Sequence, residues 1–314
     1  MHSIVFERNK KSTNMNIKRV LLAAVMLFVC TMNGQVNLQE DRDVFSVYYT
    51  PELKEDALFK YQKGGVNLSL PPIAMNRLSF YSTIKFEQHQ FSYKNNAATF
   101  TQEMEKFYSI QYSLLAKYQL SKNWSLNGVA MPRLVSNFTN GIEMDNIQIN
   151  GVAFVEKKFN TKKSDRYFHI IAGVGYLTLA GKTTINPVVN FMGKLNEHFS
   201  FVVGIPNTYI KYNFNKKHAV KLLGALNDFT APINAPVFVD ASKTQKIENV
   251  IFTEASVGLE YNYWFTKSIG FLLRGTHTVF SEFKLEDVHE NTLFDFNAAL
   301  KPYLTVGIKF NPFR

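Results

Sequence analysis

The stretch FYSIQYSLLAKYQL, residues 107–120, carries the fold. Tyr108, Ile110, Tyr112, Leu114, Ala116, Tyr118 and Leu120 share one parity, while Ser109, Gln111, Ser113, Lys117 and Gln119 share the other. Successive side chains on a strand point to opposite faces, so the segment presents one apolar and one polar face along about fourteen residues. Strands of soluble domains usually run to about five or six residues. Long strands that are apolar outside and polar inside, joined by short turns, are what a bilayer-spanning barrel requires.

Four more segments fit the same template. In 78–87, Leu78, Phe80, Ile84 and Phe86 oppose Ser79, Tyr81, Thr83, Lys85 and Glu87. In 251–265, Ile251, Ala255, Val257, Leu259, Tyr261, Tyr263 and Phe265 oppose Glu254, Ser256, Gly258, Glu260 and Asn262. In 269–281, Ile269, Phe271, Leu273 and Val279 oppose Gly270, Arg274, Thr276 and Thr278; near the end, Leu304, Val306, Ile308 and Phe310 oppose Thr305, Gly307, Lys309 and Asn311. Repetition at this period argues strand after strand. The rival reading of the dyad is a soluble secreted β-sandwich that buries the same faces inward.

The connections alternate in length. Short polar turns fall at 121–123, 160–165, 196–198, 213–217 and 266–268, and the prolines Pro71 and Pro72 mark another at 71–76. Between them lie the longer segments 89–106, 137–146, 230–249 and 284–297. This asymmetry predicts an all-β, antiparallel up-and-down transmembrane barrel with short periplasmic turns and longer extracellular loops. The turn count gives about twelve to fourteen strands, the lower number applying if 44–70 or the pair around Pro206-Asn207 does not span.

The N-terminus sets the compartment. Lys18 and Arg19 precede an apolar run from Val20 to Cys30, followed by Thr31-Met32-Asn33-Gly34. That pattern reads as a secretory signal peptide over 1–34, with Met15 as the expected start and cleavage near Gly34/Gln35. The run is about half the ~20 residues a spanning helix needs. Residues 35–314 then form one barrel domain. Cys30, the single cysteine, leaves with the signal, so the mature chain has neither a disulfide nor a cysteine metal site. Losing five cations and one acid with the signal takes the formal charge from +10 to +6. The remaining basic residues are dispersed, which argues against nucleic acid.

Parity places Lys85, Glu87, Lys117, Arg133, Glu156, Glu254, Glu260, Arg274 and Lys309 on lumen faces. Two readings stay open for them: opposite charges that fill the interior by pairing, or a lining that selects solutes in an open or plugged pore. Tyr112, Tyr118, Trp124, Phe159, Tyr261, Tyr263, Trp264, Phe265 and Phe310 cluster near strand ends, where amphipathic rings suit the membrane interface. Nucleophile elbows, phosphate-binding glycine loops and paired-histidine zinc motifs are absent from the sequence, so no catalytic residue, cofactor or metal is expected. His277 and Ser281 share a parity but sit about 13 Å apart along a strand, too far for a nucleophile–base pair. Loop 284–297, with Lys284, Glu286, Asp287, His289, Glu290 and Asp295, is the one segment dense enough in acids to hold calcium or assist hydrolysis.

From about residue 40 onward the chain resembles the single-domain outer-membrane β-barrel families of Gram-negative bacteria that carry no assigned activity. The resemblance rests most on Tyr118-Gln119-Leu120-Ser121-Lys122-Asn123-Trp124 and on the closing strand Tyr303 to Phe313. It implies an outer-membrane location, insertion by the barrel assembly machinery after escort by periplasmic chaperones, and contact with outer-membrane lipids and lipopolysaccharide. Phe310 and Phe313 are the implied assembly signal. The functional expectation is a channel or binding barrel for small polar or amphipathic solutes. The alternatives are a structural or partner-binding barrel without a pore, and a lipid-modifying enzyme.

Overall fold

The computed structural model describes residues 43–51, 53, 58–93, 102–160, 166–179, 181–205, 208–239 and 242–313. The signal segment with Met15, Cys30 and its cleavage point lies outside the described residues, as do Glu52, Glu55, Asp56, Lys162, Lys163, Pro206, Asn207 and Arg314.

The strands in chain order begin with β1 (Phe45–Thr50), β2 (Phe59–Ser69), β3 (Ile73–Met75), β4 (Leu78–Tyr93) and β5 (Lys106–Gln119). They continue with β6 (Trp124–Ser136), β7 (Ile147–Asn160), β8 (Tyr167–Leu179), β9 (Lys182–Lys194) and β10 (Phe199–Ile205). The rest are β11 (Thr208–Asn213), β12 (His218–Phe238), β13 (Lys246–Trp264), β14 (Ile269–Glu286), β15 (Thr292–Asp295) and β16 (Pro302–Phe310). Fourteen of them form a closed antiparallel barrel. Each pairs with its neighbour in the chain, except that β3 and β15 are short additions paired to β4 and β14. Closure runs through β14–β16 and β16–β1, with Arg274 opposite Thr305 and Val47 opposite Ile308. β1 and β2 from 44–70, and the β10–β11 pair, therefore belong to the ring, and the higher strand count holds.

The tight turns share one construction. Backbone bonds run from Leu120 N to Trp124 O (3.0 Å), Leu195 N to Phe199 O (2.9 Å), Phe214 N to His218 O (2.9 Å) and Phe265 N to Ile269 O (3.0 Å). Inside three of these loops a polar side chain binds the backbone ahead of it. Asn196 Oδ1 accepts from His198 N and Phe199 N, Asn215 Oδ1 from Lys217 N and His218 N, and Thr266 Oγ1 from Ser268 N and Ile269 N. Short side chains that accept from the backbone two and three residues on are what define such turns. The sequence thus repeats a polar cap, a lysine or glutamate, and a strand start.

Alternation is as the dyad requires. Ile110, Tyr112, Tyr118 and Leu120 are exposed on the outside, while Ser109 is buried inside. Pro132 sits where the β5–β6 ladder is interrupted between Gln111↔Arg133 and Leu114↔Ala130, as a residue without an N–H must. A glycine relieves crowding between β7 and β8, where a Cβ on Gly173 would meet the Ala153 carbonyl at 2.2 Å. Gly128 and Gly275 face open space, so crowding does not explain those two.

Wall height is uneven. β12, β13 and β14 have 21, 19 and 18 residues, whereas β10 and β11 have 7 and 6. The tall side does not stand free. From Phe229 to Val237, β12 is buried on nearly every residue, because it packs inward against β5 and β6. Asn234 fixes that extension: its Oδ1 accepts from Ser136 Oγ (2.8 Å) and Asn146 Nδ2 (2.7 Å), and its backbone N donates to Asn137 Oδ1 (3.1 Å). Asn140 donates to the Asn234 carbonyl.

Candidate functional site: a polar lumen under an aromatic roof

At the long-loop end the inward positions turn apolar. Phe59, Phe91, Phe107, Phe229, Phe252, Phe283 and Phe296 form one fully buried cluster with Met104. Phe59 lies 4.7 Å from Phe283 and Phe91 lies 5.7 Å from Phe252, ring centre to ring centre. These contacts join β2, β4 and β5 to β12, β13 and β14 across the lumen. Lys301 enters the cluster, with Nζ 4.6 Å from the Phe59 ring centre and 5.5 Å from that of Tyr303. Aromatic pairs in such edge and offset contacts add about 0.5–1.5 kcal/mol each beyond area burial.

Below the roof lies a cavity of about 810 Å³. Its lining brings together many of the ionisable residues that parity placed inside. Glu87 accepts from Tyr48 Oη (2.5 Å) and pairs with Lys63 (2.8 Å) and Lys85 (2.7 Å). Tyr48 reaches it because Gly65 leaves room for the ring, a Cβ there falling 2.4 Å from Tyr48 Cζ, while Gly307 lies against Tyr48 Cβ. Lys63 also donates to Asn227 Oδ1 at 3.0 Å. Tyr303 donates to Glu254 Oε1 at 2.6 Å. Glu260 pairs with Arg274 through Nε (2.8 Å) and Nη2 (2.5 Å), and Lys221 Nζ stands 3.6 Å away. Lys309 pairs with Asp43 (3.2 Å) and covers the Trp264 ring at 5.3 Å.

Lys117 and Glu156 gather elsewhere on the inner wall. Glu156 accepts from Lys117 Nζ (2.7 Å) and Ser125 Oγ (3.1 Å), and its other oxygen meets His169 Nδ1 at 2.5 Å. Arg133 donates to Ser109 Oγ at 2.8 Å and lies 5.8 Å from the Phe229 ring centre. The lumen charges are therefore extensively paired across strands, although a cavity remains between the clusters.

Sequence reading missed Tyr48, Lys63, Lys221, Asn227 and Tyr303. Lys63 lies in 44–70, where Gly64 and Gly65 blur the alternation, and Lys221 shares its parity with Leu223 and Ala225. His169 carries no mark in the sequence, since its partner Glu156 sits on the adjacent strand rather than nearby in the chain.

Among the strand-end aromatics, Tyr112, Tyr118, Trp124, Phe159, Phe265 and Phe310 are exposed on the outer surface. Lys157 Nζ lies 4.8 Å from the Trp124 ring and 4.9 Å from Phe159. Tyr261 and Tyr263 are half-buried against His218, whose Nδ1 is 2.6 Å from Tyr261 Oη. Trp264 departs from the expectation. It is 5% exposed and inside, because it shares the parity of Glu260 and Asn262 rather than that of its aromatic neighbours. Phe310 ends β16, and the exposed Phe313 follows it.

The acidic loop is divided by the fold. Asp287 Oδ1 accepts from His289 N and Asn291 N, and Oδ2 from Asn291 Nδ2, so this carboxylate caps its own turn. Glu286 pairs with Lys284 at 3.0 Å and Glu290 with Lys182 at 2.8 Å. Among the described residues no group of three or more histidine, cysteine or carboxylate side chains is placed to hold a metal. His277 Nδ1 donates to the Thr278 carbonyl at 2.8 Å and not to Ser281.

Against this geometry the comparisons with known proteins fall into place. A family described as a domain of unknown function, DUF6268, matches residues 74–311. The chain belongs to the DUF6268 family. No curated protein matches it. Among solved structures it is similar to the NanC porin, at 8% identity and TM-score 0.39 over 85% of this chain and 99% of that one. It is also similar to LpxR from Salmonella typhimurium (7%, TM-score 0.36, 85% and 99%). A Pseudomonas aeruginosa FadL homologue matches at 10% and TM-score 0.39, over 85% and 89%.

Proposed function

We propose that this DUF6268 protein is an outer-membrane binding barrel for small polar or amphipathic solutes, closed towards the long loops and not a permanently open pore. The observation that carries this reading is the aromatic roof standing directly over a charged cavity. Rings from opposite walls touch above it, while Lys63, Lys85, Lys221, Arg274 and Lys309 interleave with Glu87, Glu254 and Glu260 below. Paired charges of both signs give a solute donors and acceptors at fixed positions, and the pairing offsets part of the cost of holding them out of water. A zwitterionic or amphipathic head suits such a lining better than a bare ion. No catalytic role is assigned. Ser125 donates to Glu156 rather than to His169, so the His169–Glu156 pair lacks an activated nucleophile.

The test is a titration of purified, folded protein carrying Trp124→Phe, which leaves Trp264 beside Lys309 as the reporter. Short-chain phosphocholine amphiphiles below their aggregation threshold should change its emission saturably. Arg274→Glu, which opposes Glu260, should weaken the effect tenfold or more. A response that never saturates, or is equal in the variant, would contradict the proposal.

A further inference from the structure

We propose that the wall between β9 and β12 contains a lateral portal, through which an amphipathic molecule moves between the surrounding lipid and the polar cavity. This deepens the binding reading above and rests on it.

The portal follows from two strands that stop early. The β9–β10 ladder ends at Val189↔Ile205, and the β11–β12 ladder ends at Thr208↔Gly224. Thr208 Oγ1 accepts from Gly204 N (3.1 Å) and donates to Gly204 O (2.9 Å), tying the short hairpin off at that level. Beyond it, among the described residues, Lys182–Val188 of β9 ladder only with β8, and β12 from Ala225 onward ladders only with β13. Seven residues at ~3.3 Å each, tilted by about 40°, rise roughly 18 Å. That is short of the ~25 Å apolar band of such barrels, so the gap lies within lipid. Two missing strands leave about three strand spacings, roughly 14 Å, between the facing edges where the short hairpin ends, and the opening narrows from there as β12 leans inward and the β8–β9 tip reaches β13.

The gap is framed above, which makes it a window rather than a dip in the rim. Gly181, at the β8–β9 tip, lies against Ile251 of β13, where a Cβ would fall 2.3 Å from Ile251 Cδ1. Beside it Lys182 pairs with Glu290. The edge itself is composed for an open position. Pro187 has no N–H to leave unpaired, and proline within sheets is confined to edges and bulges.

The two sides of the window differ in chemistry. Ile185, Val189 and Leu226 make apolar lips, exposed at 77%, 55% and 48%. Immediately behind, Ala225 and Asn227 line the polar cavity together with Leu226. A purely polar solute has no use for such lips, and a purely apolar one has none for the cavity. The arrangement fits a single-tailed amphiphile whose head enters first.

The experiment places a bimane fluorophore on Ala225→Cys, and separately on Thr276→Cys, in a Cys30→Ser background. Thr276 lines the same cavity from β14, where the wall is continuous between β13 and β16. Both proteins are folded into phosphatidylcholine vesicles containing phospholipid with an acyl-chain nitroxide. Quenching should be at least twofold stronger at 225 than at 276, and Asn227→Cys replaces Ala225→Cys if that variant does not fold. Equal quenching overturns the portal. Equal quenching alongside saturable amphiphile binding in the Trp264 titration removes the portal and leaves the binding reading standing; stronger quenching at 225 without binding supports the window and overturns that reading.

Discussion

Phe107 and Phe229 stand on β5 and β12, seven strands apart in either direction around a ring of fourteen, yet their ring centres are 5.6 Å apart. Strand spacing and tilt would hold opposite walls of such a barrel about 25–30 Å apart. The inward lean of β12 closes that distance, and the aromatic cluster is what the lean buries. Phe229→Ala should remove about 3–5 kcal/mol, the usual range for a fully buried phenylalanine. Urea unfolding in lipid vesicles measures it; a loss under about 1 kcal/mol would mean the roof is loosely packed.

The asparagine latch is separable from the rings. Asn234→Ala strips partners from Ser136, Asn146 and the Gly141 carbonyl while leaving every phenylalanine in place. The expected cost is about 1–3 kcal/mol, since buried donors and acceptors are left unmet. Limited proteolysis should cut 137–146 faster in the variant. Unchanged cleavage would show that the extension holds without the latch.

Glu87 is the centre of the polar cavity's charge. Glu87→Leu leaves Lys63 and Lys85 facing each other without their shared carboxylate. Breaking a buried pair in this way costs roughly 3–5 kcal/mol, with the lower end expected beside a cavity. Replacing Lys63 by methionine as well should recover part of the loss, a coupling that a double-mutant cycle reads directly.

The 287–291 turn gives a pH signature outside the barrel wall. Hydrogen bonds from the Asn291 side chain and backbone hold the Asp287 carboxyl below its ordinary 3.8. A depressed carboxyl favours the folded turn above the unfolded value and ceases to do so as pH falls through the folded one. Protease sensitivity of this turn should therefore rise only below about pH 3.8, and Asp287→Asn should flatten that dependence.

Much of the wall was legible in the sequence, because a strand with lipid on one face and a lumen on the other must alternate strictly. The polar turns were equally readable, since Asn196, Asn215 and Thr266 each cap the backbone just ahead of them. The roof was not. Residues 250–253, Val-Ile-Phe-Thr, are buried on both sides: Phe252 packs into the roof, while Ile251 meets Gly181 of the β8–β9 tip. Burial on both faces erases the dyad, so the stretch carries no mark of facing inward. Trp264 failed for a related reason, its aromatic neighbours suggesting the interface while its parity pointed inside. The site was half visible. Parity found Glu87, Glu254, Glu260 and Arg274, but only the register could bring Lys63 to Glu87, Lys221 to Glu260 and Tyr303 to Glu254.

Conductance in planar lipid bilayers tests the central claim, an aromatic roof closing the long-loop end over a charged cavity. Wild-type protein should insert without steady ohmic current, and the double substitution Phe229→Ala with Phe283→Ala should produce discrete openings. A stable open-channel current from the wild type, unchanged by removing both rings, would contradict the account.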